Sequence, residues 1–169
     1  MKQTKQGFSL IEVIITLGIL SLLFIGSAIA YSSVRERINT DTANVQLEQI
    51  LAAIKLLELD TKVWPGTGTP QTPYTTACGG GANEVWDLSQ PAGGLLSTDG
   101  NYPNWGGPYI DEIPLDPWGN PYFFDSDYDV PPTGGNDAVV LGSFGPNGVG
   151  QNLYDSDDII IILYQGSCP

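Results

Sequence analysis

The hydrophobic pattern changes character twice along the chain. From Val13 to Tyr31 no residue is charged, and Phe8 to Ile11 extend the apolar run toward the N-terminus. At about 1.5 Å per residue, a helix of that length crosses a hydrocarbon layer roughly 30 Å thick. Eleven residues from Val13 to Tyr31 are Leu, Ile, Val or Phe. Each favours insertion by roughly 0.3 to 0.6 kcal/mol, so their sum of about 5 kcal/mol exceeds the roughly 3 kcal/mol cost of one intramembrane carboxylate. That carboxylate is Glu12. An ionisable side chain in a span is a functional residue by default, and its natural partner is a cation at the same depth.

After Tyr31 the pattern becomes amphipathic without a break. Leu47, Ile50, Leu51, Ile54 and Leu57 recur at helical steps, with Glu48, Lys55, Glu58 and Asp60 between them. One helix is predicted from about Phe8 to Thr61, roughly 80 Å long and too long to bury in a domain of this size. Lipid or copies of itself must cover its first half. Gly18 and Gly26 weaken the helix locally, and Pro65 and Gly66 stop it. The stretch 64–107 is rich in Gly, Pro, Thr and Asn and reads as a long connection with a short helix around Asp87 to Leu96 and Cys78 as its pin.

Beyond it, Pro121–Phe124, Ala138–Ser143 and Ile159–Gln165 are β-branched or aromatic runs bounded by turn residues. The fold class expected is α+β, a long N-terminal helix packed on a small C-terminal antiparallel sheet. Ile159–Leu163 does not alternate, as in a strand covered on both faces or nearly so. Asp125-Ser126-Asp127-Tyr128-Asp129 begins like an EF-hand loop, but Val130 stands where the sharp turn needs Gly and Asn136 where a Glu should be. It reads as a solvated acidic turn, able to lend a ligand to a neighbouring site.

Charge narrows the function. The net charge is −13; Lys and Arg occupy positions 2, 5, 35, 37, 55 and 62, while thirteen acids and no base follow from Glu84 onward. Nucleic-acid binding is not expected on that balance, because a phosphate backbone is held by Lys and Arg. The acids must face water or hold a metal. Histidine is absent, which removes the usual zinc and histidine-based nucleophile arrangements. Carboxylate pairs such as Asp155 and Asp157 could act as acid and base, but no cleft is evident and no enzyme is expected. Cys78 and Cys168 are the only cysteines. In an extracytoplasmic chain such a pair reads as a disulfide more often than as two free thiols, and it would close a loop at a gain of about 4 to 5 kcal/mol.

Residues Gly7-Phe8-Ser9-Leu10-Ile11-Glu12, after a leader carrying Lys2 and Lys5, resemble the signal of type IV pilins and of the pseudopilins of type II secretion. The resemblance implies cleavage between Gly7 and Phe8 by a prepilin peptidase and N-methylation of the Phe8 amine. Glu12 would then assemble subunits by pairing with a Phe8 amine. The alternative reading is an ordinary secretory signal ending at Ala28-Ile29-Ala30; a mature N-terminus at Phe8 supports the first and one at Tyr31 the second.

A second segment carries a further resemblance. Trp105-Gly106-Gly107-Pro108-Tyr109-Ile110 and Pro114-Leu115-Asp116-Pro117-Trp118-Gly119-Asn120-Pro121-Tyr122, with Ser143 to Gly148 and Asp157-Asp158-Ile159 after them, look like the major pseudopilin of type II secretion. That resemblance implies a calcium ion in the last inter-strand loop, held by the Phe144 carbonyl, Asn147 where the family has Asp, Asp155, and Asp157 or Asp158. Its domain plan is a leader (1–7), a transmembrane and polymerising half-helix (8–31), an amphipathic half (32–63), a variable loop region (64–107) and the C-terminal sheet (108–169).

The function implied is a structural subunit of a secretion pseudopilus. Its partners would be copies of itself, the prepilin peptidase, an inner-membrane assembly platform and minor pseudopilins. It would be a single-pass inner-membrane protein with an extracytoplasmic domain, assembled into a periplasmic or surface filament. The alternatives are a subunit of a surface type IV pilus and, in another class, a secreted calcium-binding module.

Overall fold

The computed structural model describes residues 7, 9–66, 84–130 and 137–165, without the side chains of 26–30 and 137. The element order is helix α1 (Leu10–Thr61), a 3-10 turn (Pro91–Gly93), and strands β1 (Phe123–Asp129), β2 (Asp137–Ser143) and β3 (Ile159–Gln165). The chain divides into two compact units, residues 1–38 and 39–169. Cys78 and Cys168 lie outside the described residues, as do Phe8, Lys2 and Lys5.

In the first unit the described apolar side chains of α1 are exposed, from 44% at Val13 to 81% at Leu10. Among the described residues no helix is long and apolar enough to cross a membrane. The expected span reaches Tyr31 and falls in part on side chains 26–30, which lie outside the description.

In the second unit α1 buries one face. Leu47, Ile50, Ile54 and Leu57 sit at three- and four-residue steps and pack with Tyr122, Phe124, Val139 and Leu141 from the sheet. The helix ends by its own chemistry before Pro65. Lys62 takes a left-handed backbone (φ 63°), its N–H donates to the Glu58 carbonyl at 2.9 Å, and its Nζ donates to the Leu59 carbonyl at 2.6 Å. A cation on the last carbonyls also suits the helix dipole.

The described part of the long connection is ordered by side chains. The expected helix over Asp87–Leu96 is only the 3-10 turn Pro91–Gly93, because Pro91 and the left-handed Gly94 leave room for one turn. Leu88 and Leu95 are fully buried. The Tyr102 hydroxyl accepts the Gly66 N–H at 3.0 Å and donates to the Ala92 carbonyl, while Trp105 Nε1 donates to the Gly94 carbonyl at 2.7 Å. These rings do the pinning among the described residues.

The sheet is an antiparallel meander in the order β1-β2-β3. Phe123 pairs with Gly142 and Asp125 with Val140, Leu141 pairs with Ile161, and the register shifts between Asp125 and Tyr128 and between Val139 and Val140. Alternation gives two covered faces. One is the helix-facing core; the other holds Phe123, Tyr128, Ala138, Val140 and Phe144 with Trp86, Tyr154 and Ile160 packed against them.

Two expectations are corrected here. Asp125–Asp129 is the second half of β1, not a solvated turn, and Asp125, Ser126 and Tyr128 are at most 1% exposed; Phe123 and Tyr128 supply enough aromatic surface to carry the polar residues between them into the sheet. Strand β3, at the sheet edge, is covered only in part: Ile159, Ile161 and Leu163 pack against the helix-facing core and Ile160 against the other face, while Ile162 is 43% exposed.

Candidate functional site

The described part of the N-terminal signal is Gly7 and Ser9 to Glu12. Gly7 is exposed, and Glu12 lies exposed in the first turn of α1. The Glu12 Oε2 accepts the Ser9 N–H at 3.4 Å, and the Ser9 carbonyl takes the Glu12 and Val13 N–H groups at 3.1 and 3.2 Å. This is one half of a capping box, the Ser-x-x-Glu pattern that starts helices. Glu12 therefore has a local task within its own chain, starting the helix, which its sequence spacing from Ser9 already signals.

The loop between β2 and β3 brings the expected carboxylates together. Asn147 Nδ2 donates to Asp155 Oδ2 at 2.8 Å and to Asp157 Oδ1 at 2.6 Å, and the Asn147 N–H donates to Asp157 Oδ2 at 3.1 Å. Asn147 Oδ1 is taken by the Val149 N–H at 2.6 Å, so the amide turns its nitrogen toward the acids. A positive hydrogen pair thus stands between two carboxylates, where a cation would also be attracted. Contact with Asp157 and the Asn147 amide holds the Asp155 carboxyl below the usual range, and the same contact with Asp155 pushes Asp157 up.

Asp158 is set deeper. The Tyr128 hydroxyl donates to its Oδ2 at 2.7 Å, and Oδ1 is enclosed with no hydrogen-bond partner among the described residues. Burial raises its pKa to about 6, despite the Tyr128 bond that lowers it. The Tyr128 bond links the β1 acid run to this loop. Phe144 is buried, its ring stacked on Phe123 at 4.5 Å and on Trp86 at 6.1 Å. The next residue, Gly145, has φ 60°, and a Cβ there would lie 2.0 Å from the Asp157 carbonyl oxygen. Only glycine lets the two ends of the loop close. The enclosed carboxylate oxygen of Asp158 and the paired carboxylates of Asp155 and Asp157 are hard oxygen donors of the kind that calcium takes. They are not gathered within 4.8 Å of one another as Glu84, Asp125 and Asp127 are, and Asn147 presents its donor side.

Sequence reasoning missed two groups. Asp116 is 4% exposed, and its Oδ1 accepts the Trp118 and Asn120 N–H groups at 3.0 and 2.8 Å. Its Oδ2 takes the Ser143 hydroxyl at 2.6 Å, and Ser143 Oγ accepts the Gly145 N–H at 3.1 Å. The Asp-Pro-Trp-Gly-Asn turn is thereby tied to the start of the β2–β3 loop. The Asp-Pro-x-Gly signature marks the turn, but nothing in sequence marks Ser143 as its partner. The second group is Glu84, Asp125 and Asp127, whose carboxylate oxygens lie within 4.8 Å of one another. Burial first, then Asp127 and Glu84, raise Asp125 to about 7, and burial raises Glu84.

Residues 2–28 match the family described as prokaryotic N-terminal methylation motif, and residues 89–160 match the family described as type II secretion system protein G. The chain is 30% identical over 160 residues to the type II secretion system core protein G of Klebsiella pneumoniae, covering 93% of this chain and 94% of that one. It is 28% identical over 158 residues to the Pseudomonas aeruginosa protein of the same name, covering 91% and 94%. Among solved structures it resembles the major pseudopilin of the type 2 secretion system of enterohaemorrhagic Escherichia coli, with a TM-score of 0.47, 19% identity, and coverage of 76% of this chain and 90% of that one.

Proposed function

The chain belongs to the type II secretion system core protein G family, structural subunits of a secretion pseudopilus, and from that premise we propose how it is stored and assembled. It is held in a membrane by its N-terminal helix, cut between Gly7 and Phe8, N-methylated at Phe8, and polymerised with copies of itself through that helix. A prepilin peptidase, an inner-membrane platform and minor pseudopilins serve these steps, and the growing filament drives protein secretion.

The observation that carries this reading is the run of exposed apolar side chains from Leu10 to Ile25, with Glu12 as its one acid. Such a surface is stable only in lipid or against its own kind. Ser21 on the same stretch turns its hydroxyl back to the Leu17 carbonyl at 2.7 Å, and Gly18 leaves open space where a Cβ would stand. Small residues of this type permit close helix approach. Glu12 meets the new Phe8 amine of a neighbour, while its bond to the Ser9 N–H keeps the carboxylate near the helix start.

The acidic second unit lies outside the membrane, and its β2–β3 loop holds a calcium ion. Asp155, Asp157 and Asp158 supply carboxylates and Phe144 a carbonyl. The Asn147 amide would turn over to offer its oxygen, giving up the Val149 bond. When bound, the ion screens the repulsion among the three acids and locks the loop onto β3.

The test is electron microscopy of sheared surface material from cells overproducing the subunit, with N-terminal sequencing of what is recovered. Filaments beginning at Phe8, lost in Glu12→Ala, are expected. A soluble mature chain beginning at Tyr31 would refute the reading.

A further inference from the structure

Glu84, Asp125 and Asp127 meet because of backbone pairing. Val85 and Phe124 exchange both N–H bonds at 2.8 Å, so the antiparallel register sets Glu84 opposite Asp125. The Leu88 N–H to Tyr122 carbonyl bond, at 3.0 Å, continues the contact one residue out of that register. On β1 the register shift falls between Asp125 and Tyr128. A bulge of this kind twists the strand and re-aims side chains, and such bulges cluster beside functional sites. The Asp127 N–H closes onto Asp125 Oδ1 at 2.9 Å.

The decisive group is Asp125. It is 0% exposed, and its Oδ2 is enclosed with no hydrogen-bond partner among the described residues. This is the carboxylate on which Glu84 and Asp127 converge, with ligand oxygens of all three inside 4.8 Å. A buried carboxylate beside two others is costly unless a positive group joins it. Among the described residues of the second unit the only bases are Lys55 and Lys62. Both are at the end of α1, whereas Asp125 pairs with Val140 on the sheet face turned away from the helix core.

We propose that Glu84, Asp125 and Asp127 form a second site, for a hard divalent cation of the calcium class, built from residues other than those of the β2–β3 loop. Three carboxylates and water together meet the roughly six to eight oxygens that calcium takes. Asp125 forms the buried floor, and the half-buried Glu84 and Asp127 form the entry side. The ion staples residue 84, within the 64–107 connection, to β1.

Equilibrium dialysis of the full-length chain in detergent micelles against calcium chloride alone, at mildly alkaline pH, tests this. Glu84→Gln with Asp127→Asn is expected to bind one ion per chain fewer than wild type, and Glu84→Gln alone to weaken that ion about ten-fold or more. Asp155→Asn with Asp157→Asn, which removes the loop site, is expected to keep the ion. An equal number of ions on wild type and on the Glu84→Gln, Asp127→Asn chain would overturn the proposal, whatever the loop does. If the double variant does not fold, unchanged affinity in Glu84→Gln overturns it instead.

Discussion

The two faces of the β-sheet are packed by different chemistry, although they alternate along the same three strands. The helix-facing side is nearly all hydrocarbon: Tyr122, Phe124, Val139 and Leu141 against Leu47, Ile50, Ile54 and Leu57. On it the Tyr122 hydroxyl donates to the Gln46 side-chain carbonyl. The opposite side stacks Phe123, Phe144, Trp86, Tyr128 and Tyr154, and it threads Asp125 and Asp158 among them. The first face is stable under any solution condition that keeps water a poor solvent for hydrocarbon. The second depends on what neutralises its acids. Burying apolar surface and burying acids on one sheet thus divides the domain into a hydrocarbon face and an acid-bearing face.

The contrast can be broken most severely on the hydrocarbon side. Phe124→Ala removes a fully buried ring packed edge-on to Trp64. It is expected to cost about 3 to 5 kcal/mol, read as a lowered denaturation midpoint of the full chain in detergent. The loss should be the same with calcium or with chelator. A loss that depends on calcium would show that the faces are not separate.

A smaller effect is expected from the ion itself. Chelation should lower the melting temperature and calcium should restore it. At free calcium about a hundred times Kd, one site contributes about 2.7 kcal/mol, on the order of 5 to 10 °C for a domain this size. Absence of any change would remove calcium from the β2–β3 loop.

The smallest effect is one of pH in chelator. Burial raises Asp125 from 3.8 to about 7 and Asp158 to about 6. The native chain therefore holds protons that the unfolded chain has released. Their contribution is fully present below pH about 4 and is lost as pH rises through 6 and 7. Going from pH 7 to pH 6 should stabilise the calcium-free chain by at most about 1.4 kcal/mol per extra proton. Asp125→Asn should flatten that slope, and a slope of opposite sign in the wild type would sink the account of the second face.

Much of this was legible without coordinates. Helical spacing of Leu47, Ile50, Ile54 and Leu57 identified α1 to within two residues of its start and at its end, and β-branched runs placed β2 and β3, because these signals are local. The Asp155 to Asp158 group was reached through resemblance, and Asn147 bridges two of its members, Asp155 and Asp157. The acid run Asp125–Asp129 misled, since polarity argues for solvent until Phe123 and Tyr128 are seen to carry it into a core. Pro91 and Gly94 shortened the expected helix to one turn, a local signal that was present and outweighed by Leu95 and Leu96.

By itself, the order of residues determined the long apolar-then-amphipathic helix, the second and third strands and the absence of any base after Lys62. Each follows from neighbours in the chain, through periodicity or simple counting. Tertiary structure alone decided that Glu84 faces Asp125, that Ser143 holds Asp116, and that Tyr128 reaches Asp158. Those pairs are 41, 27 and 30 residues apart. Strand register and a bulge set them, and a single residue of slip would turn each side chain to the other face.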